Sequence, residues 1–190
     1  MNWVVFSLIL WGLMGLELGL KDALRLGETP VAPSFVMALA VVVSLAAPPN
    51  AALWACLAIG VTLDLTNPIE VIAGGPDRTV LGPYALGYVL ACQLVLTMRG
   101  LMMRKNILTV GFLALFCSLV SHVVVTAIFA IRMRYDAGVL FLPTQELMWR
   151  FGSALYSGVA GVVLGAALLP LLGSMGLSIG PARRFARRAS

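Results

Sequence analysis

The residue most able to do chemistry is Asp64, in the apolar run Ile59-Gly60-Val61-Thr62-Leu63-Asp64-Leu65. A carboxylate at membrane depth costs about 2.5–3.5 kcal/mol at a helix centre on insertion scales, so it must face a bundle interior or a wet cavity. Three roles fit it: a cap or hydrogen-bond acceptor at a helix end, a side chain that pins the following loop, or a proton or ligand site. Gly60 and Cys56 fall on the same helical stripe. Both are small and admit close approach by another helix. His122 is the single histidine, and with Ser118 and Thr126 it forms a polar stripe at four-residue spacing. Without a carboxylate or second histidine beside it, the stripe reads as an interhelical hydrogen bond or a contact to a partner's transmembrane helix, not as a metal or catalytic site.

Other polar residues carry weaker signals. Glu17 precedes Lys21 by one helical turn, the order that suits an interfacial ion pair. Gln93 shares a helical face with Gly82, Leu86, Val89 and Thr97. Ser153, Ser157, Gly161 and Gly165 recur at strict four-residue spacing, and Gly15 and Gly19 repeat it near the start. Such small residues suit close helix packing in lipid, within the chain or against a partner. Cys56, Cys92 and Cys117 lie in apolar runs without metal-type spacing, and read as small packing residues. No phosphate-binding glycine loop, nucleophile elbow or His-Glu-x-x-His is present. No catalytic residue, metal or cofactor is implied.

Apolar runs must position these residues. Six candidate spans cover residues 3–20, 31–47, 51–65, 80–98, 107–131 and 149–172. Pro48-Pro49-Asn50 makes the second and third an antiparallel hairpin. A Gly/Pro-rich polar loop covers 66–79. The first run has no basic start, so it reads as a retained span and not a removable signal.

The composition agrees. Of 190 residues, 61% are apolar and 11% charged, against roughly 45–50% and 25% in soluble domains. Mean hydropathy is +0.99. These values exclude a disordered chain, an ordinary nucleic-acid-binding domain and an ordinary soluble enzyme. Six spans of about 20 residues use roughly 120 positions, which leaves no room for a second domain. The expected architecture is all-α: one transmembrane domain over 1–175 and a basic cytoplasmic tail over 176–190. Net charge is +5, and Arg183, Arg184, Arg187 and Arg188 belong to that tail. They read as topology signals and anionic-lipid contacts, not nucleic-acid contacts. One face of a six-span bundle holds Arg99, Arg104, Lys105 and the tail arginines with no acid, which puts both termini in the cytoplasm.

Two stretches together resemble the rod shape-determining protein MreD family. One runs from Pro33-Ser34-Phe35 through the hairpin to Gly60-Val61-Thr62-Leu63-Asp64-Leu65. The other is Leu81-Gly82-Pro83-Tyr84-Ala85-Leu86-Gly87-Tyr88. The segment between Asp64 and Leu81 is longer than the family's usual loop. The resemblance implies a non-catalytic inner-membrane subunit of the machinery for lateral peptidoglycan synthesis. Its partners would be an MreC-like bitopic protein, MreB filaments, the RodA glycosyltransferase and a class B penicillin-binding protein. It also implies a six-helix bundle similar to the substrate-binding subunits of energy-coupling-factor transporters. Gly60, Asp64, Leu81 and Gly82 are the motif positions it marks, at a groove for the partner helix, and His122 joins them as an interface candidate from its own stripe.

A different class also fits the same bundle: a ligand-binding subunit of a vitamin-type transporter, with a pocket near the loop 66–79. Asn67, Glu70, Asp77, Tyr84, Tyr135 and Gln145 are the polar residues available for it.

Overall fold

The computed structural model describes residues 1–27, 29–67, 79–100, 106–132, 134–135 and 143–177. The expectations for most of the loop 66–79, for Arg104 and Lys105, and for the tail 178–190 with its lipid contacts fall outside that set. The described residues form six helices and no strand. These are α1 (Trp3–Leu20), α2 (Phe35–Ala46), α3 (Pro49–Thr66), α4 (Pro83–Met98), α5 (Ile107–Arg132) and α6 (Pro143–Leu171).

Local chemistry sets the boundaries. Asn2 caps α1 through its side-chain oxygen, which accepts from the backbone of Val4 and Val5. Proline at a first helical turn loses no hydrogen bond, and it opens α3, α4 and α6. The second element begins at Phe35, not at residue 31, because Pro33 holds the residue before it out of helical conformation. The fourth begins at Pro83, not at residue 80, because Gly82 takes φ 125° and turns the chain there. The sixth begins six residues before the expected 149, since Glu146 sits in a first turn that helical geometry favours.

Four helices, α1, α3, α5 and α6, are long and apolar enough to cross a membrane. The sequence reading expects about six. The remaining two, α2 with 12 residues and α4 with 16, reach about 18 and 24 Å, short of a hydrocarbon layer of about 30 Å.

The short α2 is the centre of the bundle. Every residue from Val36 to Leu45 is buried, and α2 packs against all five other helices. The helices alternate in direction. The Asn2 N–H reaches the Met175 carbonyl at 2.8 Å, and Arg99 Nη1 reaches the Ala47 carbonyl at 3.0 Å. The start of α1 thus meets the end of α6, and the end of α2 meets the end of α4. The outer surface is apolar, as at Trp3, Leu8 and Trp11 on α1.

The four-residue stripe of α6 packs within the chain. A side chain at Gly161 would meet Ala114 Cβ at 2.7 Å, and one at Gly165 would meet Val110 Cβ at 3.1 Å. Ser157 accepts the Ser34 N–H at 2.9 Å.

Candidate functional site

The two motif stretches meet in space. Asp64, 1% exposed, lies near the end of α3 and accepts three backbone N–H groups at the start of α4. These are Gly82 at 2.9 Å, Tyr84 at 2.9 Å and Ala85 at 3.1 Å. Pro83 between them has no N–H to satisfy. Gly82 itself makes no side-chain cap, so a residue 18 positions earlier supplies it. The carboxylate faces the positive end of the α4 dipole. Gly60, one turn below, lies against the backbone Ala85 Cα, with the Tyr84 carbonyl at 2.8 Å from where its Cβ would be. Of the three roles open to Asp64, the structure assigns the helix-end acceptor.

Glu17 does the same for α2. Its Oε2 accepts the Val36 N–H at 3.0 Å and the Ser34 hydroxyl at 3.2 Å. Lys21, the partner that spacing suggests, sends Nζ instead to Asn67 Oδ1 at 3.3 Å.

Between these capped ends lies a cavity of about 260 Å³, on the face opposite Asn2 and Met175. All six helices or their termini contribute, among them Glu17, Lys21, Tyr84, Tyr88, His122 and Arg150. Arg150 organises it. Its Nε donates to Glu146 Oε1 at 3.0 Å, Nη1 donates to the Tyr84 hydroxyl at 3.3 Å, and Nη1 stands 3.4 Å from His122 Nδ1. The guanidinium also lies 5.9 Å from the centre of the Tyr84 ring, within cation–π range. Ser118 and Ser121 are buried on the α5 wall, and their hydroxyls have no hydrogen-bond partner among the described residues.

His122 thus makes an interhelical contact in the interior, α5 to α6. Gly60, Asp64 and Gly82 form the inner α3–α4 joint. Leu81 alone of the five candidates presents an exposed apolar side chain, at 61%. Asn67 and Tyr84 line the cavity, Tyr135 and Gln145 are exposed and do not, and Glu70 and Asp77 fall outside the described residues. Sequence reasoning missed Glu17, Tyr88 and Arg150 as cavity residues. The available signal was Arg150 just inside an apolar run, with Glu146 one turn before it.

The cysteines are free and buried. The Ser44 hydroxyl donates to the Ala40 carbonyl at 2.7 Å and stands 3.2 Å from Cys92 Sγ. No group of three or more His, Cys, Asp or Glu side chains among the described residues is placed to hold a metal.

No known protein family, curated protein or solved structure matches this chain. What the fold and site define, among the described residues, is an all-helical bundle with four helices able to cross a membrane and a polar cavity at one end.

Proposed function

We propose that the chain is a non-catalytic, multi-pass subunit of the bacterial cell-elongation machinery, similar to the MreD family. It sits in the inner membrane with both termini cytoplasmic, and α2 and α4 complete a six-helix bundle like that of energy-coupling-factor substrate-binding subunits. Its direct partner is an MreC-like bitopic protein, with RodA, a class B penicillin-binding protein and MreB further out.

One observation carries the reading. Leu81, just before α4 at the motif joint, and Leu86, Leu90 and Gln93 along the outward face of α4 are all exposed. The Gln93 side chain makes no hydrogen bond among the described residues. An unbonded amide against hydrocarbon is costly, and a hydrogen bond across to a neighbouring helix offsets that cost. A single-span partner laid along this face supplies it.

The test is a mild in-cell crosslink of the tagged protein, detergent purification and mass spectrometry. Recovery of an MreC-like single-span protein supports the reading; recovery of transporter ATPases without it overturns it. The cavity favours one second reading, a ligand-binding subunit of a small-molecule transporter, and the ATPase outcome would select it.

A further inference from the structure

The polar groups around the cavity are unevenly committed. Each carboxylate has one oxygen engaged: Glu17 Oε2 by Val36 N–H and the Ser34 hydroxyl, and Glu146 Oε1 by Arg150 Nε. Arg150 uses Nε and Nη1, while Nη2 makes no bond among the described residues. Its side chain is only 13% exposed, and an arginine buried in an apolar bundle usually has its whole fork satisfied. Lys21, whose Nζ also donates to Asn67 Oδ1, adds a second cation at the same wall, and Arg25, paired with Asp22, a third. The buried hydroxyls of Ser118 and Ser121 add two more groups without a partner.

A buried guanidinium with one arm unbonded, beside a further cation and two unpartnered hydroxyls, calls for an acceptor-rich occupant. We propose that it binds a small oxyanion, a phosphate or carboxylate group, with Arg150 as the principal ligand and Lys21 as the second cation. Arginine suits this because its planar fork matches two oxygens of one oxyanion. Tyr84 is the positioning residue. Its backbone is fixed by the Asp64 cap at 2.9 Å, its hydroxyl holds Nη1 at 3.3 Å, and its ring lies beneath the guanidinium. A volume of about 260 Å³ exceeds the roughly 30 Å³ share of one water several-fold. It therefore admits more of a molecule than the oxyanion alone. The anion could arrive free in solution or as the phosphate of a lipid headgroup. The site rests on the cavity alone and holds whichever partner the chain has.

His122 gives a single-site readout, being the only histidine and 3.4 Å from Arg150. The full chain, labelled with ¹⁵N-histidine in detergent micelles, would be titrated with inorganic phosphate at constant ionic strength, and separately with phosphatidylglycerol. A neutral monoacylglycerol, which carries no phosphate, and chloride serve as controls. The expected result is a saturable shift of the His122 ring signals. Saturation by phosphate identifies a free anion; saturation by phosphatidylglycerol alone identifies a headgroup. Arg150→Lys keeps the charge but loses the fork, and should weaken the apparent affinity about tenfold or more. Tyr84→Phe should weaken it less. Absence of a saturable shift with both probes in the folded wild-type chain overturns the proposal. So does an affinity unchanged in both variants.

Discussion

Asp64 Oδ2 lies 2.9 Å from the backbone N–H of Gly82, across 18 residues of chain. The bond joins the last turn of α3 to the first residue of the turn into α4, where Gly82 holds φ 125°. That conformation is open to glycine and strained for any other residue. With Tyr84 and Ala85 also donating to the same carboxylate, the otherwise costly charge is spent on the three N–H groups that α4 cannot satisfy itself. The motif that carries the family resemblance is therefore a mechanical joint, and it sets the position of Tyr84 in the cavity wall.

The first prediction concerns that joint. Asp64→Asn keeps one oxygen where three N–H groups converge, and turns an amide donor toward the others. We expect a loss of about 1–3 kcal/mol and a larger loss for Asp64→Ala. Both would be read by thermal unfolding in detergent with a thiol-reactive dye, for which buried Cys56, Cys92 and Cys117 are the reporters. A variant with the wild-type midpoint would show that the cap contributes nothing.

Glu17 gives a parallel case at α2. Glu17→Ala strips the acceptor from the Val36 N–H and the Ser34 hydroxyl, and α2 is the helix all others touch. The expected cost is again about 1–3 kcal/mol. Lys21→Ala leaves that cap in place and should cost less in the same dye assay. Equal losses would mean that the Glu17–Lys21 pair, not the cap, is what matters.

The glycines separate by what surrounds them. From the sequence alone, Gly82→Leu is expected to disrupt assembly with a partner more than Gly111→Leu. The structure adds what each substitution meets within the chain. A side chain at Gly111 would run into Val162 Cγ2, and the Gly158 carbonyl would be 2.9 Å away. Gly60 faces the Ala85 backbone, which cannot swing aside. Around Gly82 the space is open, and only its φ resists substitution. Gly60→Ala and Gly111→Ala should each cost about 1–3 kcal/mol by overpacking. Gly15→Ala, with nothing within 4 Å, should be neutral or gain up to about 1 kcal/mol in helix propensity. Unfolding midpoints that fail to fall in this order would contradict the crossing geometry.

What the sequence made legible follows from range. The first helix, residues 3–20, and the Pro48-Pro49 hairpin depend on neighbours along the chain, and both were readable. Asp64 and the Ser118–His122 stripe were visible because a polar group in an apolar run has few uses. Glu17 was misread because i, i+4 spacing points to Lys21, whereas its partners lie 17 and 19 residues away on another helix. Arg150 carries no local signal of its role because its partners Tyr84 and His122 are 66 and 28 residues distant. The cavity is a product of six helix ends meeting, which no local pattern encodes.

The last prediction tests the outward face of α4. Gln93 is exposed beside Leu86 and Leu90, and its amide has no bond within the described residues. If a partner helix covers this face, Gln93→Leu removes a hydrogen bond made only in the complex. Interhelical bonds of this kind are worth about 0.6–2 kcal/mol in membranes, so co-purification of the proposed MreC-like partner should fall roughly three- to thirtyfold. The unfolding midpoint of the isolated chain should stay the same or rise slightly, since an exposed amide is exchanged for an apolar group. A photo-crosslinking residue at Leu90 should capture a partner on this face, while one at Val163, also apolar and exposed but on α6, should not. Capture at both positions, or unchanged co-purification with Gln93→Leu, would place the partner elsewhere on the bundle and return Gln93 to the lipid.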